Sequence, residues 1–88
     1  MYSIFVSRTF EKQFHSLTVD LQRRIRLALN ALQEDPINPR AGADIRALTD
    51  TNPRKYRLRV GSYRIIYTIE KTKIRVIEVF SRDKGYRE

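Results

Sequence analysis

A chain of 88 residues is one small domain that buries about 60% of the surface its unfolded form exposes, which excludes a large internal cofactor cavity and puts function on a surface or in a cleft. Its 18 Lys and Arg against 10 Asp and Glu give a formal net charge of +8, so the expected partner is a polyanion, nucleic acid ahead of an anionic membrane. With no cysteine and His15 as the single histidine, disulfides, thiol chemistry, a zinc cluster and a Ser-His-Asp triad have no residues to build them. A hydrophobic fraction of 41% is enough for a folded core, and no stretch approaches the ~18 apolar residues of a membrane span. A soluble, cytoplasmic protein without a metal or small-molecule cofactor is expected.

Tyr2 to Val6 reads as a short strand of β-favouring residues. Phe10, Phe14 and Leu17 then recur at helical spacing and predict a short amphipathic helix beginning near Ser7 or Thr9, with His15 on its polar side. Leu21, Ile25, Ala28, Leu29 and Leu32 share one face of a second helix that Pro36 ends. The few residues between these helices predict an αα-hairpin. Ile37 to Pro53, dense in Pro, Gly, Asn, Asp and Thr, reads as a loop with room for one helical turn at Ile45 to Leu48. Lys55 to Val60, Tyr63 to Ile69 and Lys73 to Phe80 read as three strands. The order β-α-α-β-β-β predicts an α+β fold, a two-helix hairpin on one face of a mainly antiparallel sheet, as one domain spanning residues 1–88.

The charge is unevenly spread. Residues 1–52 carry seven basic and six acidic side chains, whereas residues 53–88 carry eleven basic and four acidic, so nearly all of the excess lies in the second part. Seven of those eleven are arginine, the residue whose planar fork fits phosphate. Gly61-Ser62 suits a two-residue type II′ turn, which pairs Val60 with Tyr63, Arg59 with Arg64, Leu58 with Ile65 and Arg57 with Ile66. Alternation then sends Tyr56, Leu58, Val60, Tyr63, Ile65 and Tyr67 to the core and gathers Arg57, Arg59 and Arg64 on the opposite face. Directly opposed arginines disfavour a sheet, and such local conflict marks functional positions. The same register, continued into the last strand, puts Val76 and Glu78 on the core side and Arg75, Ile77 and Val79 on the arginine side; a bulge, or a partner for Glu78 at the sheet edge, would resolve the misfit.

The segment Tyr56-Arg57-Leu58-Arg59-Val60-Gly61-Ser62-Tyr63-Arg64-Ile65-Ile66-Tyr67, with Arg82 and Tyr86 after it, resembles the RelE/ParE toxin superfamily of type II toxin-antitoxin systems, and in particular its RelE-like branch of mRNA interferases. The resemblance covers nearly the whole chain. It implies a toxin that cleaves mRNA on the ribosome, with Arg59, Arg64, Arg82 and Tyr86 as catalytic residues, Arg57, Lys55 and Lys84 as RNA contacts, and a cognate antitoxin, the ribosome and mRNA as partners. It departs from members that carry lysines where Arg57 and Arg59 stand, and guanidinium is too basic to accept a proton near neutral pH. The Leu-Lys-Gly-like segment of the family is matched loosely by Ile45-Arg46-Ala47-Leu48.

The chemistry so implied is transesterification, in which the ribose 2′-OH attacks the neighbouring phosphorus and the 5′-oxygen leaves, with the arginines countering charge on the phosphorane. It requires no metal. The alternative is a toxin without nuclease activity, either ParE-like and directed at DNA gyrase or a module that grips nucleic acid through phosphates alone. Fold does not separate the two, whereas the joint presence of Arg64, Arg82 and Tyr86 favours the nuclease.

Overall fold

Two hydroxyl side chains start the two helices. In the computed structural model, which describes residues 1–82, the Ser7 side chain accepts from the Phe10 N–H at 2.9 Å and Thr18 accepts from that of Leu21 at 3.2 Å, each satisfying a donor that the first helical turn leaves free. Helix α1 (Arg8–His15) and helix α2 (Val19–Glu34) form the expected hairpin. His15 is exposed, with its ring edge-on to Phe14. Asp35 and Pro36 end α2, and the Arg40 guanidinium is spent there, donating to the carbonyls of Ala31, Asp35 and Asn38.

The strands are β1 (Ser3–Val6), β2 (Asp44–Ala47), β3 (Lys55–Val60), β4 (Tyr63–Glu70) and β5 (Lys73–Ser81). They form one sheet in the order β1-β5-β4-β3-β2, in which β1 runs parallel to β5 and the other pairs are antiparallel. Strand β2 corrects the reading of Ile37 to Pro53 as loop. Asp44 to Ala47 is extended, not a helical turn, and Ile45 is buried opposite Leu58. One inward apolar residue is enough to hold a four-residue edge strand against β3, although too few residues alternate to announce it.

The β3–β4 hairpin has the predicted register, Val60 facing Tyr63 and Arg59 facing Arg64. Gly61 has φ +60 and Ser62 keeps a negative φ, as a turn with glycine first requires. One face of the sheet meets the helices. Ile25 and Leu32 of α2 and Leu58, Ile65, Tyr67 and Ile74 of the sheet are fully buried there, with Phe10 and Phe14 of α1 against them. The Tyr67 hydroxyl donates to the Pro36 carbonyl at 2.8 Å, so this buried phenol is hydrogen-bonded, and its ring stacks on Tyr56.

In β5 a bulge supplies the missing correction. Ile66 faces Glu78 while Tyr67 faces Val76, which leaves Ile77 without an opposite residue. Val79 consequently turns into the core, not toward the arginines, and Glu78 turns toward the arginines, not into the core. Helix α1 secures the irregular stretch: the Ser7 hydroxyl donates to the Ile77 carbonyl, and the Gln13 side chain accepts from the Val79 N–H at 2.7 Å.

Candidate nucleic-acid interface

The sheet face turned away from the helices collects the basic side chains. Cross-strand pairs bring Arg59 beside Arg64, Arg57 beside Ile66, and Arg46 and Asp44 of β2 beside Arg57 and Arg59. Ile66 is buried yet stands outside the core cluster, as expected of an apolar residue flanked by long charged side chains whose stems cover it. The sequence placed Arg57, Arg59 and Arg64 together. It missed Asp44 and Arg46 because their strand was read as loop, and it put Glu78 on the core side while leaving open whether a bulge or an edge partner resolved the misfit.

Arg57 lies deepest, with its side chain 11% exposed. Its guanidinium is 3.3 Å from the Asp44 carboxylate, which also stands 3.8 Å from Arg59. Burial pulls the Arg57 pKa below its ordinary value and so do the like charges of Arg64, Arg46 and Arg59, while Asp44 opposes them. It stays protonated at neutral pH, because a guanidinium does not deprotonate in this range. The charge is therefore held at a cost that an incoming anion relieves.

The Nε atoms of Arg57 and Arg64 are buried and have no hydrogen-bond partner among the described residues. Buried donors are ordinarily paired, and the contrast with Arg40, whose guanidinium donates to three carbonyls, is sharp. Two unsatisfied N–H groups on one strongly basic face are suited to phosphate oxygens.

Arg82 is exposed just beyond β5, and its N–H donates to the Ser62 carbonyl at 2.7 Å. The chain thus passes beside the turn that joins Arg59 to Arg64. Lys55 lies at the far end of β3, opposite Thr68, and is separated from Arg59 by Arg57. Lys84 and Tyr86 lie outside the described residues. Tyr63 and Tyr67 face the core side, as expected. No three His, Asp or Glu side chains come together as metal ligands among the described residues, and no described helix is long and apolar enough to cross a membrane.

The sequence profile described as ParE toxin of type II toxin-antitoxin system, parDE, matches residues 4–86. The chain belongs to this family, within the RelE/ParE superfamily. Solved structures agree with the assignment. The toxin is similar to the archaeal RelE of the RelE-RelB complex from Pyrococcus horikoshii OT3, with 26% identity, a TM-score of 0.80 and coverage of 96% of this chain and 98% of that one. It is similar in fold to a chain of the RelB-RelE antitoxin-toxin complex from Methanococcus jannaschii (24% identity, TM-score 0.78, 94% and 95% covered). The isolated E. coli RelE toxin shares that fold too (19% identity, TM-score 0.71, 92% and 84% covered). No curated protein sequence matches the toxin. The two helices on a five-stranded mixed sheet are thus a RelE-like α+β fold.

Proposed function

We propose that this toxin is a ribosome-dependent endoribonuclease that cleaves mRNA by 2′-OH transesterification. The observation that carries the reading is the pair of buried, unpartnered Nε donors of Arg57 and Arg64 within a face that also presents Arg59 and Arg46. In the reaction the 2′-oxygen forms a bond to phosphorus and loses its proton, the bond from phosphorus to the 5′-oxygen breaks, and that oxygen takes up a proton. Arg59 and Arg64 hold the phosphate oxygens as charge builds, Arg57 holds the RNA backbone beside them, and Arg82 serves the leaving group from the edge of the turn. Lys55 and Lys84 extend the RNA contact, and Tyr86 stacks on a base or exchanges a proton.

A proton acceptor for the 2′-OH must come from outside the arginines. Two carboxylates reach this face near the hairpin, Asp44 and Glu78, and a third, Glu70, lies at its far end tied to Arg75. Asp44 is held by Arg57 and Arg59, whereas Glu78, half-buried, makes no ion pair among the described residues. Glu78 is the group we assign to the proton, with the ribosome and the RNA itself orienting the hydroxyl.

The second partner is an antitoxin, as in the RelE-RelB complexes that share the fold. An open groove of about 520 Å³ lies between α2 and the β2–β3 edge, with Leu27, Ala28, Ala31 and Val60 along it and Arg24 and Arg59 at its rim. Leu27 is 63% exposed. An amphipathic acidic segment fits this groove, apolar side down, and its charges then cover Arg59.

The test is to map the 5′ ends of a translated mRNA after expression of the toxin, which should show breaks within codons in the reading frame. The family profile names ParE, and this favours as second reading a toxin that acts without cutting RNA, on DNA gyrase. Loss of viability with intact mRNA would establish that reading over ours.

A further inference from the structure

A second cleft opens on the same sheet face as the arginines, at its other end. Its volume is about 390 Å³, and Phe5, Pro53 and Ile77 give it an apolar floor while Lys55, Thr68 and Arg75 stand around it. Strand register explains the grouping: Phe5 is paired with Arg75, Arg75 with Thr68, and Thr68 with Lys55, so one row crosses four strands. The bulge adds Ile77 to this wall.

Phe5 is 47% exposed in this row, an unusual place for a ring on a short edge strand. The Lys73 ammonium lies 5.6 Å from its centre, close enough to polarise it. Lys55 makes no ion pair among the described residues, and Arg75 is tied to Glu70 at 2.9 Å. The cleft therefore combines an accessible aromatic surface, a hydroxyl able to meet the edge of a base, and a free cation for the adjoining phosphate. Its size falls within the range of small-ligand sites.

Lys55 and Arg59 are four residues apart on β3, about 13 Å at the rise of a strand. A single strand with one phosphate at Arg59 and Arg64, followed along β3, reaches the cleft after passing Arg57. We infer that this cleft is a nucleobase subsite for single-stranded RNA, in which a base a few nucleotides along the strand from the scissile phosphate stacks on Phe5 while Lys55 takes a phosphate next to that base. The inference rests on the RNA-cleaving reading above and adds where the strand runs. The line of Arg59, Arg57 and Lys55 along β3 leading to the cleft favours an RNA strand over an apolar protein segment as occupant.

The experiment measures binding of the full-length toxin to a fluorescent single-stranded RNA hexamer, intact or with one abasic nucleotide moved along it, at several salt concentrations. Phe5→Ala should weaken the intact hexamer about tenfold, the size of one base–aromatic stack, and leave the salt slope unchanged. Abasic substitution at one position should cost wild type the same factor and cost Phe5→Ala nothing more. Phe5→Tyr keeps the ring and should bind like wild type, which separates stacking from any loss of fold. Arg64→Ala should lower both affinity and salt slope. Equal binding by wild type and Phe5→Ala, with Arg64→Ala weakened, overturns the subsite and leaves the RNA reading standing. No change in either variant overturns both. If Phe5→Ala instead spares RNA and loses the antitoxin, the cleft is a protein contact and the inference fails.

Discussion

Arg57 and Asp44 form an ion pair at 3.3 Å in which the arginine is nearly buried and the aspartate is 56% exposed. The acid partly neutralises the arginines gathered at the hairpin, and it sits where a phosphate oxygen would compete for the same guanidinium. Stability and nucleic-acid affinity are opposed at this pair.

Asp44→Asn should lower stability by about 1 kcal/mol, between the values for exposed and buried pairs because one partner is largely solvated. The same variant should bind single-stranded RNA more tightly at low salt, since a competing anion is gone. Thermal denaturation and RNA titration on the same preparation check both signs, and a variant weaker in both measurements would contradict the competition.

Arg64→Ala should lower single-turnover cleavage on programmed ribosomes by on the order of 100-fold or more, corresponding to roughly 3 kcal/mol of lost stabilisation of the developing charge. Arg64→Lys keeps the charge without the Nε donor and should recover part of the loss. Cleavage by Arg64→Ala at the parent rate would remove this face from the chemistry.

Glu78→Gln preserves shape and removes the proton acceptor. Cleavage should fall by about 100-fold while RNA affinity holds or rises. Single-turnover cleavage on programmed ribosomes measures the loss, and a rate equal to the parent's assigns the proton to another group.

Tyr67 keeps its proton well above the usual tyrosine range, because its phenol is buried and lies beside Tyr56. The folded pKa is raised, so this contribution to stability is complete below the ordinary value of 10.0 and is lost as the pH rises beyond it, where only the unfolded chain ionises readily. Tyr67→Phe should cost about 1 kcal/mol at neutral pH, through the lost bond to Pro36. Its stability should also fall less steeply than wild type between pH 9 and about pH 11. Melting curves across that interval test the sign.

Gly61→Ala should destabilise the hairpin by about 1–3 kcal/mol, because a side chain at φ +60 is strained. The added Cβ would lie 3.0 Å from the Arg24 guanidinium, a flexible end that can move away. Denaturant unfolding measures the cost, and a loss below 0.5 kcal/mol would show that the turn accepts a side chain.

The parts of the molecule that sequence made legible are those whose determinants are local. Gly61-Ser62 determines a turn and therefore a register, and five apolar residues at helical spacing determine the buried side of α2. Asp44 to Ala47 escaped because a four-residue edge strand has one buried apolar side chain and its pairing lives in β3. Glu78 was misplaced because the bulge at Ile77 is held by Ser7 and Gln13, residues some seventy positions away in the chain. Of the site, the three hairpin arginines followed from alternation alone. Asp44 and Arg46 could be joined to them only once β2 had been found.

The bulge at Ile77 also acts as a shift of parity along β5. Before it, the even positions 74 and 76 enter the core; after it, the odd position 79 does, and the even positions 78 and 80 take the open face. Were Ile77 instead paired in strict alternation, it would take the open face and Glu78 would point into hydrocarbon. The unpaired Ile77 therefore sets which face each later residue of β5 takes: it delivers a carboxylate to the basic face and Val79 to the core, and a deletion of Ile77 that regularised the strand would leave both where they are.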